Sequence, residues 1–136
     1  MASNLSKQNK IMGIKEPVKI NAQGKVVLTL TKYQAELIKP ILEGLGAKIA
    51  NSMVWECKGN KPLTPCNALK QVQTSLLIEI MHKYYRELDL VKDKLKLTLS
   101  KAQAVNFWYL SQTYTEVVYC HPVMNNLMYH LHLKLS

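Results

Sequence analysis

The sequence predicts a mostly helical α+β fold, with about four helices packed on a small antiparallel sheet and an internally duplicated strand-helix-helix unit. Three observations carry this expectation. An eleven-residue word that ends in a helix start occurs twice, 69 residues apart. Short stretches of alternating apolar and polar residues precede longer ones of helical period. The composition is globular, 48% hydrophobic and 20% charged over 136 residues, which is enough to bury one core without staples. A flexible basic arm is expected over residues 1–15 and a single domain over 16–136, with half-repeats over about 25–88 and 94–136.

The repeated word runs from Lys25 to Ala35 and from Lys94 to Ala104, and seven of its eleven positions are identical. In the first copy Val26, Leu28 and Leu30 share one strand face; in the second Leu95, Leu97 and Leu99 do. Each strand then meets a capping box, Thr31-x-x-Gln34 or Ser100-x-x-Gln103. In such a box the hydroxyl accepts from the third amide of the helix and the glutamine reaches back to the cap. Both words therefore predict a strand that turns a corner directly into a helix.

Ahead of the first copy, Pro17 to Val26 reads as a hairpin, with strands near 17–21 and 25–30. Asn21 suits the first position of a type I turn, and Gly24 supplies the left-handed residue of the adjoining bulge. Leu37, Ile38, Ile41, Leu42, Leu45 and Ile49 predict a helix over about 32–53, kinked or broken near Pro40, Gly44 or Gly46. Turn residues over 58–65 predict a loop, and Thr64-Pro65 opens the next helix as a cap followed by proline.

That helix, over about 65–89, carries the clearest stripe of the chain in Leu69, Val72, Leu76, Leu77, Ile80, Met81, Tyr84 and Leu88. The second copy predicts a strand over 94–99 and a helix over 101–119, with Ala104, Phe107, Trp108, Ser111, Thr115 and Val118 on one side. The segment 122–135 fits both periods. A helix is preferred there, because Pro122 matches Pro65 as the opener of the second helix in each half.

Several function classes find no support. No apolar run reaches the roughly 18 to 20 residues of a membrane span, and the N-terminus lacks the apolar stretch of a secretory signal, so a cytoplasmic location is expected. Cys57, Cys66 and Cys120 are an odd number and read as reduced, mostly buried thiols. They and His121, His130 and His132 lack the closely spaced pairs of a structural zinc site. Glu79-x-x-His82 has the spacing of a di-iron ligand pair but occurs once and falls opposite the core stripe. No phosphate loop, serine elbow or zinc-protease motif is present, so no metal, cofactor or catalytic residue is expected. An enzyme without a recognisable motif stays open as an alternative.

The positive indication is charge. The chain carries 18 Lys and Arg against 9 Asp and Glu, a net +9, which attracts polyanions. Arg86 is the sole arginine, so base reading by bidentate contacts is poorly provided for. With the leucines of the two strands inward, Lys25, Lys94 and Lys96 point outward with Thr29 and Thr98, and Lys19 joins them. This platform, with Lys7, Lys10 and Lys15 of the arm, is the expected contact for nucleic acid in a non-catalytic binding or adaptor module. The alternative partner is protein, including a second copy of the chain, met through aromatic residues in excess of one helix face: Trp55, Tyr109, Tyr114 and Tyr119.

Overall fold

A computed structural model describes residues 16–56 and 64–136, and side chains over 16–51 and 64–136. In chain order the elements are β1 (Val18–Ile20), β2 (Val26–Thr31), α1 (Lys32–Glu56), α2 (Pro65–Leu90), β3 (Lys94–Leu99), α3 (Lys101–Thr113), α4 (Thr115–Val118) and α5 (Pro122–Leu135). The strands form one antiparallel sheet in the order β1-β2-β3. The expected arm, and residues 58–63 of the expected loop, lie outside the described residues.

The hairpin forms as its turn chemistry requires. Asn21 Oδ1 accepts from the amides of Gln23 at 3.0 Å and Lys25 at 2.9 Å, and the Gly24 amide donates to the Asn21 carbonyl at 3.0 Å. Gly24 sits at φ 77°, where a Cβ would crowd the backbone. The turn sets the register: Val18 faces Leu28, and Lys19 faces Val27.

On the other side of β2, Val26 faces Leu99, Leu28 faces Leu97 and Leu30 faces Leu95. Because side chains alternate, this register gathers all six apolar residues on one face, where each is buried. The helices close over that face with Ile38, Leu42, Leu45, Ile80, Tyr84, Phe107, Met124, Leu127 and Leu131, giving a single core.

Both strand-to-helix corners carry complete capping boxes. Gln34 N donates to Thr31 Oγ1 at 3.2 Å and Thr31 N to Gln34 Oε1 at 3.1 Å; the Ser100 and Gln103 counterparts are 3.1 and 2.9 Å. The corners differ in what else they hold. Gln103 Nε2 also donates to Glu79 Oε2 at 2.9 Å, and Lys83 Nζ reaches Gln103 Oε1 at 3.4 Å, so this buried amide ties α3 to α2. Gln34, equally buried, makes the box bond and no other among the described residues. Gln103→Ala is therefore expected to cost about 2 kcal/mol and Gln34→Ala about 1 kcal/mol. Urea unfolding of the two variants tests this, and equal costs would discount the tie to α2.

Helix α1, expected to be kinked or broken near Pro40, Gly44 or Gly46, is not broken: it runs as one helix past all three. Proline removes one backbone donor, but Ile38, Ile41, Leu42, Leu45 and Ile49 are all buried on the same helix and hold it together. The glycines serve close approach. A Cβ on Gly44 would lie 3.1 Å from Val117 Cγ1, and one on Gly46 would lie 3.3 Å from Met81 Sδ.

Helix α2 corrects the expected stripe. Leu77, Ile80 and Tyr84 are buried, but Leu69 and Val72 are 57% and 55% exposed, and Cys66 is exposed rather than buried. At 26 residues the helix spans about 39 Å, whereas the six-residue strands beneath it span about 20 Å, so its early turns outrun the sheet. Cys120 is exposed as well, contrary to the buried thiol expected.

Tyr84 fastens α2 to the first turn of α1, its hydroxyl donating to the Ala35 carbonyl. Burial first, then the charges of Tyr85 and Glu36, push its pKa far above the ordinary 10.0. The unfolded chain ionises this hydroxyl near pH 10 while the folded chain keeps it neutral. The stabilisation is therefore full below pH 10 and is lost as pH rises beyond it. Tyr84→Phe is expected to cost about 1 kcal/mol at pH 7 and to flatten the fall in stability above pH 10. An unchanged alkaline profile in denaturation series would remove this role.

The helix expected over 101–119 is two helices, which makes five among the described residues where about four were expected. The break is at Tyr114 (φ −112°, ψ 55°). Ser111 Oγ donates to the Phe107 carbonyl at 2.7 Å and Thr113 Oγ1 to that of Tyr109 at 3.0 Å, so hydroxyls compete with the backbone for the final carbonyls. The 122–135 segment is helix α5. His121 Nδ1 caps it by accepting from Val123 N at 3.1 Å, and Val123, Met124, Leu127, Met128 and Leu131 are buried.

Candidate nucleic-acid interface

The face of the sheet turned away from the helices is built by β1, β2 and β3 together. Lys19, Val27 and Thr98 form one row across it, Thr29 stands opposite Lys96, and Thr31 stands opposite Lys94. Lys25 continues the same face one step before β2. All four lysines are exposed, and with strands about 4.8 Å apart and about 3.4 Å per residue they outline a patch of roughly 10 by 20 Å. No Asp or Glu occupies a strand position on this face. The nearest paired acid is Glu16, whose Oε2 lies 3.8 Å from Lys19 Nζ in an exposed contact. Such contacts between exposed charges are weak and screened by salt.

Several side chains of this face have hydroxyls. Thr98 is exposed, and Thr29 and Thr31 are half-buried between the lysines. Lysine ammonium groups and threonine hydroxyls both suit phosphate oxygens, the first by charge and the second by donation. No aromatic ring stands on this face of the strands to stack with bases. No known family, curated protein or solved structure matches this chain.

The sequence-selected aromatic residues do not converge. Tyr109 and Tyr114 line a groove of about 160 Å³ with Ile49, Lys70 and Gln73. Tyr119 lines a separate one of about 320 Å³ with Trp108, Tyr129 and His132. There Gln112 Nε2 donates to the Tyr119 hydroxyl, and the Trp108 ring stacks on His132 at 5.3 Å. The Trp55 side chain and Lys7, Lys10 and Lys15 lie outside the described side chains. The second groove combines residues of α3 and α5 with Tyr119, which follows α4; of these, Tyr119 was the ring expected at an interface, whereas periodicity placed Trp108 with the core and His132 was weighed only among the histidines and cysteines that lack zinc spacing.

Among the described residues no three His, Cys, Asp or Glu side chains come together to hold a metal ion, and no helix is long and apolar enough to cross a membrane. His82 is exposed, as its position on the helix implied. Glu79, placed opposite the core stripe by the same reasoning, is exposed too, and its Oε2 accepts from Gln103 Nε2 of α3.

Proposed function

We propose that this chain is a non-catalytic binding module that associates with nucleic acid without sequence preference. Lys19, Lys25, Lys94 and Lys96 on the sheet make the contact, assisted by Lys7, Lys10 and Lys15 of the basic arm. The observation that carries the reading is four exposed lysines on one sheet face with no acidic strand residue among them. Each ammonium that reaches a phosphate releases a condensed counterion, so affinity comes from charge and carries no base information. A single arginine in the chain fits that lack of base reading. The test is a titration of mixed-sequence nucleic acid at several salt concentrations. Four sheet contacts predict a log–log slope of about −3 to −4. Absence of binding at low salt, or a slope near zero, removes the reading.

We also infer that the fold arose by duplication of a strand-helix-helix unit. Support comes from the repeated word, from two capping boxes at matching positions, and from a register in which Leu28 lies opposite Leu97, its own counterpart in the repeat. The proline-opened helices α2 and α5 follow at comparable places, capped by Thr64 and His121. Exchanging the sequences 26–31 and 95–100 is expected to leave a folded chain that loses no more than about 2 kcal/mol, as judged by thermal unfolding. A chain that fails to fold after the exchange argues against equivalence of the strands.

A further inference from the structure

Among the described residues β3 has a free edge, a second potential contact made of main chain rather than side chains. Bonded pairs alternate along an antiparallel ladder. The bond from Lys32 N to the Asp93 carbonyl (3.0 Å) fixes the phase, so Leu95, Leu97 and Leu99 turn their main-chain groups toward β2. Those of Lys94, Lys96 and Thr98 point the other way, off the side of the sheet. Among the described residues they have one partner: Lys83 Nζ, which donates to the Thr98 carbonyl at 3.3 Å. Beside the start of this edge lies a groove of about 290 Å³ whose lining includes Glu87, Leu90, Val91, Lys92, Asp93 and Lys94, and Leu90 is 72% exposed.

We infer that this edge takes up an extended acidic segment of another protein as a fourth strand. The outward amides of Lys94, Lys96 and Thr98 and the carbonyls of Lys94 and Lys96 supply the ladder, and the Thr98 carbonyl joins it by exchanging its Lys83 partner. The groove receives a side chain from the inward face of the incoming strand, against Leu90 and Val91. Charge selects the occupant. Outward side chains of an added strand stand about 5 Å from those of Lys94 and Lys96, where carboxylates are attracted and lysines or arginines repelled. A second copy of this chain is rejected by the same rule, because the twofold register that uses all three free residues sets Lys96 against Lys96. Edge lysines discourage indiscriminate strand pairing; here they leave an acidic strand as the compatible partner.

The inference is separate from the nucleic-acid reading, because it depends on main-chain donors that phosphate binding to the sheet face does not need. The probe is a synthetic peptide of about ten residues alternating glutamate and valine, with a lysine-valine peptide as its control. In the free protein the amides of Lys94, Lys96 and Thr98 are expected to exchange fast and those of Leu95, Leu97 and Leu99 slowly. The acidic peptide is expected to bind and to slow exchange at Lys94, Lys96 and Thr98, and the control peptide to do neither.

Thr98→Pro removes an edge donor at unchanged charge and spares the ladder to β2. It is expected to weaken the acidic peptide at least about tenfold relative to Thr98→Ala, which loses the same hydroxyl but keeps the amide, while the two variants bind nucleic acid equally. Lys19→Glu with Lys25→Glu is expected to do the reverse. A second route that keeps the edge intact is Lys94→Glu with Lys96→Glu, which should transfer preference to the lysine peptide. No peptide binding, binding without protection of the three amides, or unchanged peptide affinity in Thr98→Pro each overturns the inference. So does protection of the same amides by nucleic acid in place of the peptide.

Discussion

Leu97→Ala and Leu28→Ala are each expected to lower the unfolding free energy by about 3 to 4 kcal/mol, the largest effect of any single truncation proposed for this chain. The two side chains face each other across β2 and β3, 2% and 1% exposed, at the centre of the inward leucine set. Truncation removes their transfer free energy and leaves a cavity that the helices above, rigidly packed on both sides, cannot close. Since the two cavities adjoin, the double variant is expected to cost less than the sum of the singles, by about 0.5 to 1 kcal/mol. Against a total of about 5 to 15 kcal/mol for a domain, it stands at the margin of folding. Thr29→Ala, on the opposite face beside Leu28, is the internal control and should change stability by less than about 1 kcal/mol. Urea denaturation followed by circular dichroism gives all four values. If Thr29→Ala cost as much as Leu28→Ala, the assignment of inner and outer faces would fail.

Reversing Lys19, Lys94 and Lys96 to Glu in one variant is expected to lower affinity for mixed-sequence nucleic acid by at least about a hundredfold at low salt. Each reversal changes the charge by two, so the net charge falls from +9 to +3. The fold should persist, because all three side chains are exposed and none contributes to the core. The salt slope should shrink by about 2 to 3, matching the number of phosphate contacts removed. A control that isolates location from total charge is the reversal of Lys39, Lys48 and Lys70, three lysines carried by the helices. It gives the same net charge and is expected to cost under about tenfold. Equal losses in the two triple variants would show that the chain attracts polyanions as a whole, with no interface on the sheet.

Much of this architecture follows from relations within a few residues. The two capping boxes depend on residues three apart, and both form as Thr31-x-x-Gln34 and Ser100-x-x-Gln103 imply. The hairpin needs only Asn21 and Gly24 at the right separation. Which lysines share a face is likewise a matter of parity along a strand: Lys94 and Lys96 alternate with the leucines, and Lys25 with Val26. Lys19 additionally required the register of the turn. The C-terminal ambiguity was real at the level of period, and it was the burial of Met124, Leu127, Met128 and Leu131 in the core that selected the helix.

The errors share a cause. Leu69 and Val72 belong to an apolar stripe by any local measure, yet they are exposed because α2 is longer than the sheet it covers, and helix period says nothing about where a neighbour ends. Pro40, Gly44 and Gly46 read as breakers from propensity, whereas α1 stays continuous because its buried stripe outweighs one lost hydrogen bond and because the glycines admit Val117 and Met81. Glu79 is exposed as its helix position implied, and what period could not supply is its bond from Gln103, distant in sequence.

By itself, the sequence determined the strands, the corners that turn them into helices, and the division of β2 and β3 into an inward apolar face and an outward face of threonine and lysine, Lys25 preceding β2, because these rest on dihedral preference and on contacts along one stretch of chain. Only the tertiary structure decided how far each helix is covered, how closely α2 and α4 approach α1, that the aromatic residues part into two grooves, and that β3 ends the sheet with three residues facing outward. Those features depend on which distant segments meet, and a one-dimensional pattern contains the faces available for meeting without the choice among them.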